Sequence, residues 1–125
     1  MSQLCYNSRD ELVVIDLDKV AYIQAGGNYS LIVYITGQKT TITAGITKIE
    51  RMISLSYEKG VSSPFIRLGR SVILNQCYLR RINVLKQSVM LSDLEHSPLI
   101  LSIPKSLIRG YKEHVEKQFR HNSGE

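Results

Sequence analysis

The segment at residues 29–36, YSLIVYIT, is the strongest predicted β-strand of this sequence and constrains its fold most. It is rich in β-branched and aromatic residues, which pack well on a pleated, half-buried surface. Turn signals bound it on both sides: GGN at 26–28 precedes it, and GQ at 37–38 leads into KTTITA. A further strand, VAYIQA at 20–25, lies before the first turn. Short strands joined by such tight turns predict antiparallel hairpins.

The rest of the chain continues this alternation of strands and turns, interrupted twice by helical spacing. Ile46, Ile49 and Ile53 predict a short amphipathic helix over residues 45–55. Pro104 opens a second helix, where its missing N–H costs little. The predicted buried stripe of that helix is Leu107, Ile108, Tyr111, Val115 and Phe119. The other predicted strands are ELVVI (11–15), FIRL (65–68), SVIL (71–74), VLKQSVMLS (84–92) and LILSI (99–103). We therefore predict a mostly β fold with one internal and one C-terminal helix.

The length of 125 residues fits one domain with its own hydrophobic core. We expect residues 1–10 to be a weakly patterned lead-in, residues 11–119 to form the domain, and residues 120–125 to be a flexible tail. Cys5 and Cys77 form no CxxC pair, which predicts a reducing, cytoplasmic setting. No signal peptide is visible, and no apolar run approaches the roughly 18 residues that span a bilayer, so no membrane partner is expected.

Catalytic and metal chemistry has no candidate constellation in this sequence. His96, His114 and His121 are far apart, and none stands in an HExxH motif or beside a cysteine pair. We interpret His96 as a turn residue. GGN is followed by a strand rather than a helix, so the context of a nucleotide-binding loop is missing. The sequence therefore predicts neither an enzyme nor a bound cofactor.

Positive charge is concentrated in the middle of the chain. The whole chain has 16 Lys and Arg against 11 Asp and Glu, a net charge of +5, yet residues 59–92 contain no acidic residue at all. The cations of this stretch are Lys59, Arg67, Arg70, Arg80, Arg81 and Lys86. A solvated strand face usually alternates in sign to gain cross-strand pairs. A field of one sign instead attracts polyanions, and arginine can read guanine bidentately in the major groove of DNA.

The aromatic content favours duplex DNA over single-stranded nucleic acid. Proteins that bind single strands usually present an aromatic stacking platform. This chain has no Trp and two Phe, and several of its seven Tyr fall in predicted core stripes. Two alternatives of other classes stay open from the residues alone. One is a small β-rich protein-interaction module whose basic face docks an acidic partner, and the other is an RNA-binding barrel.

Four segments, in order and spacing, resemble the LytTR family of bacterial DNA-binding domains. They are VAYIQAGGNYSLIVYITGQ, the short helix after it, FIRLGRSVILN and LILSIPKSLIRGY, and the resemblance covers roughly residues 12–119. It implies an elongated antiparallel fold of small sheets and a transcription regulator whose loops enter successive major grooves of double-stranded DNA. It also implies binding to direct repeats, as a homodimer or pair on DNA. Many members are output domains of response regulators in two-component systems.

The resemblance implies three DNA-binding loops. The first is Gly26, Gly27, Asn28, Tyr29 and Ser30; the second is Gly69, Arg70 and Ser71, with Arg67 and Asn75 alongside; the third is Pro104, Lys105 and Ser106. Arg80 and Arg81 lie past the second motif, and we expect them to contact phosphate. Asn75 has an alternative interpretation as a turn residue bonded to its own backbone, and Arg67 as a cap on a strand face.

This chain departs from the family pattern within and beside those loops. Gln24 stands where the family usually has Glu, and Gly69 stands where it usually has His. Pro104 and Lys105 replace a Ser and an Arg. The base preference of the family therefore does not transfer to this chain.

Overall fold

The fold consists of ten short strands and two helices in the part of the chain that the structure covers. The computed structural model describes residues 2–122, with side chains to residue 120. The strands are β1 (Gln3–Asn7), β2 (Leu12–Asp16), β3 (Val20–Gly26), β4 (Tyr29–Tyr34), β5 (Lys39–Ile42), β6 (Phe65–Leu68), β7 (Val72–Asn75), β8 (Leu79–Asn83), β9 (Ser88–Leu91) and β10 (Leu99–Ser102). The helices are α1 (Ile46–Ser56) and α2 (Lys105–Asn122).

The strands form three antiparallel sheets. The central sheet has five strands in the order β5–β4–β3–β7–β6, a second has the order β10–β9–β8, and β1 pairs with β2 in a two-stranded ribbon. Two single turns of 3-10 helix, Leu17–Lys19 and Gln76–Tyr78, link strands of different sheets. The predicted class, a mostly β fold of small antiparallel sheets with an internal and a C-terminal helix, is confirmed.

The central sheet is covered on both faces. Because side chains alternate across a strand, Ile73 of β7 lies in one core while its neighbour Leu74 lies in the other. The first core contains α1 and the inner face of the ribbon. The second contains the three-stranded sheet and Ile108 of α2. The central sheet is therefore the layer shared by the two cores.

The expected lead-in contains a strand that the sequence pattern did not reveal. β1 pairs with β2 in register Cys5↔Val14, and Leu4 and Tyr6 are buried in the first core. The Tyr6 hydroxyl also donates to the carbonyl oxygen of Thr43 at 3.0 Å. Five residues with apolar side chains at two positions give too short an alternation to recognise without the partner strand.

Two further predictions are wrong in detail. The predicted strand at 84–92 is a turn followed by β9, and the turn is fixed by left-handed backbone at Gln87, φ 50°. Phe119, assigned to the buried stripe of the last helix, is 69% exposed. Helix α2 extends into the predicted tail as far as Asn122, and residues 123–125 of that tail lie outside the described residues.

Neither helix among the described residues combines the length and apolar character needed to cross a bilayer.

Candidate nucleic-acid interface

The β3–β4 loop is a tight hairpin turn. Gly26 pairs with Tyr29, which leaves Gly27 and Asn28 as the two loop residues. Gly27 has φ +78°, the left-handed conformation that the first position of a type II′ turn requires. A Cβ atom on Gly26 would lie 2.3 Å from the Tyr29 ring, so the absence of a side chain there lets the ring cover the backbone. Asn28 and half of Tyr29 remain exposed to solvent.

Ser30 does not belong to the exposed part of this loop, and its expected contact with DNA is corrected. Its side chain is fully buried, and its hydroxyl donates to the carbonyl oxygen of Ala44 at 2.6 Å. This bond ties β4 to the segment that leads into α1. The Gly27 carbonyl oxygen also lies close to Gly45, 3.5 Å from where a Cβ would stand. The role of Ser30 is to hold the hairpin against the start of α1.

The β6–β7 loop leaves the central sheet at the same end as the β3–β4 loop. Val72 pairs with Gln24, and the Ala25 amide donates to the Ser71 carbonyl oxygen at 2.8 Å. Arg70 and Ser71 are exposed. No described residue forms an ion pair or a hydrogen bond with the Arg70 guanidinium. This leaves a charged, forked donor at the tip of a hairpin.

Arg67, in β6 just before the loop, is fixed by contacts with other residues of the chain. Its Nη1 pairs with Glu50 Oε1 at 2.9 Å and donates to Thr47 Oγ1 at 3.0 Å, and its Nε donates to the Gly69 carbonyl oxygen at 3.0 Å. The side chain is 22% exposed. These contacts connect helix α1 to the β6–β7 loop. Arg67 therefore orients the loop, and Glu50 reduces the one-sign charge that the sequence indicated for this stretch.

Sequence reasoning missed Thr47 and Glu50 as part of this arrangement. The available signal was that Glu50 is the one acidic residue in the helix sequence ITKIERMISLS. The partner of that carboxylate, however, is 17 residues away in the chain.

Gly69 is a glycine for two structural reasons. Its φ is +67°, a conformation that L-residues other than glycine adopt at a cost. A Cβ atom at this position would also lie 2.7 Å from Cδ1 of Leu107 in α2. A histidine, the residue usual in the resembling family, would meet both obstacles here. The departure from the family pattern therefore allows the first turn of α2 to approach the β6–β7 loop closely.

The start of α2 completes the same surface. Pro104, Lys105 and Ser106 are all exposed, and the Pro104 carbonyl oxygen accepts from the amides of Leu107 and Ile108 at 2.9 and 3.0 Å. The amides of Lys105 and Ser106 precede these bonds, and unpaired amides at a helix start carry partial positive charge. This arrangement favours an anion at the helix start.

A cleft of about 380 Å³ joins the β6–β7 loop to the start of α2. Arg70, Ser71 and Pro104 line it together with the exposed Gln24. Tyr22 forms part of its wall, and burial raises the pKa of this phenol. The second and third predicted loops therefore meet in one surface, and the first loop lies at the same end of the sheet.

The remaining predicted residues lie elsewhere. Asn75 is buried, donates from Nδ2 to the Val20 carbonyl oxygen at 2.9 Å and accepts from the Cys77 amide at 3.0 Å. Its interpretation as a turn residue bonded to nearby backbone is confirmed. Arg80 and Arg81 of β8 lie beside the later turns of α2, and neither lines the cleft at the loops.

One cluster of potential metal ligands lies away from this surface, in the β9–β10 turn. Ligand atoms of Asp93, Glu95 and His96 lie within 4.8 Å of one another. Asp93 already accepts hydrogen bonds from the backbone amides of His96 and Glu95 and pairs with His96 Nδ1 at 2.6 Å. These bonds hold the pKa of Asp93 well below its usual value. The interpretation of His96 as a turn residue is confirmed.

Comparison with known proteins gives one informative result. No protein-family model and no curated protein matches the sequence. Among solved structures, the chain is similar to the LytTr DNA-binding domain of a protein described as a methyl-accepting/DNA response regulator from Bacillus cereus. The alignment covers 90% of this chain and 95% of that domain, with a TM-score of 0.57 and 18% sequence identity. The chain has the LytTr fold. The fold that the motif resemblance predicted is thereby confirmed.

Proposed function

We propose that this chain binds double-stranded DNA in a sequence-specific manner and acts as a transcription regulator. The LytTr fold supports this proposal, because the similar Bacillus cereus domain is described as DNA-binding. The proposal rests on one observation in the chain itself. Arg70 is exposed at the tip of a loop whose backbone is stabilised by three separate contacts.

Arg70 is the residue best placed to read a base. An unpaired guanidinium can donate two parallel hydrogen bonds to O6 and N7 of guanine in the major groove. The loop is held by Arg67 through the Gly69 carbonyl, by Ala25 through the Ser71 carbonyl, and by Leu107 packed against Gly69. A loop fixed in this way loses little conformational entropy on binding, which favours affinity and specificity.

The start of α2 provides a complementary phosphate contact. Lys105 and Ser106 supply a cation and a hydroxyl in addition to their own backbone amides at the helix start. Contacts of this kind set the register of a protein on DNA and carry no base information. Lys105 and Ser106 would therefore position the cleft over the duplex while Arg70 and Gln24 face base edges.

The β3–β4 loop extends the surface along the sheet end. Asn28 carries an amide that can pair with adenine, and Tyr29 offers a hydroxyl for phosphate. Two loops that leave one sheet end in the same direction can enter the groove at neighbouring positions. Binding by loops in successive major grooves, to direct repeats and by two copies of the chain, belongs to this proposal. A cytoplasmic setting and the absence of enzymatic activity are also part of this proposal.

The experiment is selection of bound duplexes from a random pool, followed by fluorescence anisotropy of the selected site. Arg70→Ala is expected to weaken binding to the selected duplex by about 1–3 kcal/mol, roughly 5- to 150-fold, and to relax the preference at one base pair. Lys19→Ala is the matched control. Lys19 is an exposed cation that precedes β3, and the seven residues of that strand place it about 20 Å from the loop end.

Two results would contradict the proposal at different levels. An equal loss on selected and random duplex would make Arg70 a phosphate contact. Equal affinity for duplex DNA, single-stranded DNA and RNA, with a weak dependence on salt, would reject duplex recognition altogether.

A further inference from the structure

A second surface of the molecule combines an apolar floor with an excess of positive charge. An open groove of about 340 Å³ runs between β8 and the later turns of α2. Its apolar floor includes Ile82 and Val115 and ends at Phe119, which is 69% exposed. An apolar cavity of roughly 150 Å³ holds one benzene molecule, so the groove has room for about two ring-sized side chains.

The cations of this groove have no acidic partners in the described part of the chain. Arg80, Arg81 and Lys112 line it, and none of them forms an ion pair with a described residue. Arg80 donates from Nη1 to the neighbouring Leu79 carbonyl oxygen at 3.2 Å, which leaves its charge uncompensated. The one carboxylate of the groove, Glu116, pairs with Arg120 at 3.6 Å. The groove therefore presents three positive charges around hydrophobic side chains.

This groove is separate from the proposed DNA interface. The interface uses the first turn of α2, whereas the groove uses residues 112–119. At 1.5 Å per residue, the two sets lie about 10–20 Å apart along the helix axis. They share no lining residue. A partner in the groove therefore need not displace DNA from the loops.

The exposed Phe119 distinguishes this surface from a phosphate-binding patch. Contact with a DNA backbone uses cations and leaves apolar side chains uncovered, because phosphate and sugar contacts come from charged and polar groups. A large exposed aromatic residue surrounded by cations instead matches the composition of protein interfaces, which are enriched in aromatic residues and arginine.

We propose that the groove docks an acidic amphipathic helix of a protein partner. Apolar side chains of the helix, spaced at i, i+3 and i+4, would fill the floor beside Phe119 and Val115. Carboxylates on the flanks of that helix would pair with Arg80, Arg81 and Lys112. The charge complementarity sets the sign of the partner, and a groove bounded by a strand and a helix can accept a helix laid between them. The chain thus has a binding site for DNA and a distinct site for protein.

The test uses the full chain and a fluorescent peptide of about 15 residues, with Leu and Phe at helical i, i+3, i+4 and i+7 spacing and Glu at most other positions. Anisotropy titration measures its affinity. We expect Phe119→Ser and the double variant Arg80→Glu/Arg81→Glu each to weaken peptide binding by about tenfold or more. Lys117→Glu is the matched control, because Lys117 is exposed on α2 outside the groove, and we expect a change within about twofold.

Several outcomes would overturn this proposal. One is equal binding of a peptide with Lys in place of Glu, and another is an unchanged affinity of the two groove variants. Binding of anionic lipid vesicles or single-stranded RNA that depends on Phe119, without binding of the acidic peptide, would assign the groove to another partner class. The slope of log affinity against log salt concentration reports the number of phosphates that the protein contacts. If Arg80→Ala/Arg81→Ala reduced this slope for duplex binding by the equivalent of about two phosphates, the two arginines would contact DNA instead.

The variants can be separated from misfolding by thermal melting. Phe119 is mostly exposed, and Arg80 and Arg81 are exposed on β8. We expect melting temperatures and duplex affinity of Phe119→Ser to stay close to those of the parent chain. Loss of peptide binding with retained duplex binding supports the groove independently of the DNA proposal, since the two measurements report different surfaces.

Discussion

The β9–β10 turn and the β6–β7 loop use charged residues in opposite ways. In the turn, Asp93 accepts two backbone hydrogen bonds and pairs with His96, so its charge is satisfied within the segment. In the loop, Arg67 turns inward to Glu50 while Arg70 points to solvent without a described partner. A turn that satisfies its own polar groups needs no ligand. A loop that fixes Arg67 and leaves Arg70 exposed has the arrangement that the proposed DNA contact requires.

The same two segments also differ in how they use a residue with positive φ. Leu94 in the turn has φ +68°, and Gly69 in the loop has φ +67°. Leu94 is 78% exposed, so a side chain is accommodated there at the cost of some strain. Gly69 faces Leu107, whose side chain would have to shift to admit a Cβ atom. The left-handed residue of the turn closes a connection, whereas that of the loop sets the distance between two parts of the proposed interface.

The largest expected effect comes from Gly69→Ala. The left-handed φ costs about 1–2 kcal/mol, and displacing the end of the Leu107 side chain adds up to about 1 kcal/mol, so we expect about 1–3 kcal/mol of lost stability. Chemical denaturation measures this loss, and anisotropy measures the accompanying loss of duplex affinity as the loop moves from α2.

Gly60→Ala separates the two contributions to that effect. Gly60 also has a left-handed φ, +90°, but an added Cβ meets no atom within 4 Å. We therefore expect only the cost of strain, about 1–2 kcal/mol. If the two glycine variants lost the same stability, contact with Leu107 would not be the reason for glycine at position 69.

A second experiment compares the two arginines of the loop. Arg67→Met removes an ion pair and two hydrogen bonds from a side chain that is mostly enclosed, and we expect a loss of about 1–2 kcal/mol in stability. Arg70→Met removes an exposed side chain, and we expect a change within about 0.5 kcal/mol. Denaturant midpoints of both variants, measured together, give the difference directly.

The duplex affinities of the same two variants sharpen the distinction. Arg70→Met should lose base preference while remaining stable, and Arg67→Met should lose stability with a smaller change in preference. The reverse pattern would show that Arg67 leaves Glu50 to contact DNA and that the ion pair belongs only to the free protein.

The smallest expected effect is the pH dependence contributed by the β9–β10 turn. Amide hydrogen bonds from His96 and Glu95, with His96 itself, lower the pKa of Asp93 in the folded chain. A carboxyl whose folded pKa is depressed contributes stability that is present above its unfolded value and is lost as pH falls through the folded value. The melting temperature of the parent chain should therefore exceed that of Asp93→Asn at neutral pH, and this difference should narrow between about pH 5 and pH 2.

Glu95→Gln is the control for that measurement, since Glu95 is an exposed carboxylate in the same turn. It removes a charge from the turn without removing the acceptor of these hydrogen bonds, and its melting difference from the parent chain is measured over the same range. A constant difference for Asp93→Asn would mean that the bonds to Asp93 contribute no net stability, as for many exposed ion pairs.

Local patterns in the sequence predicted most of the elements of this fold. The alternation in YSLIVYIT, the spacing of Ile46, Ile49 and Ile53, and Pro104 before the last helix are signals that need no partner to be recognised. The resemblance of motifs to the LytTR family identified the β3–β4 loop, the β6–β7 loop and the start of α2 as the candidate DNA-binding segments. The same signals failed for β1 and for Phe119, because pairing and burial depend on elements distant in the chain.

The sequence by itself determined a small antiparallel fold and a stretch of 34 residues from 59 to 92 without an acidic side chain. Only the tertiary structure decided what each cation in that stretch does. Arg67 forms an ion pair with Glu50 of α1, which is 17 residues away in the chain. Arg70 remains exposed at a loop tip, and Arg80 and Arg81 line an apolar groove beside α2. The physical reason is that charge is a property of a residue, whereas its compensation and exposure depend on which neighbours the fold brings within a few ångströms.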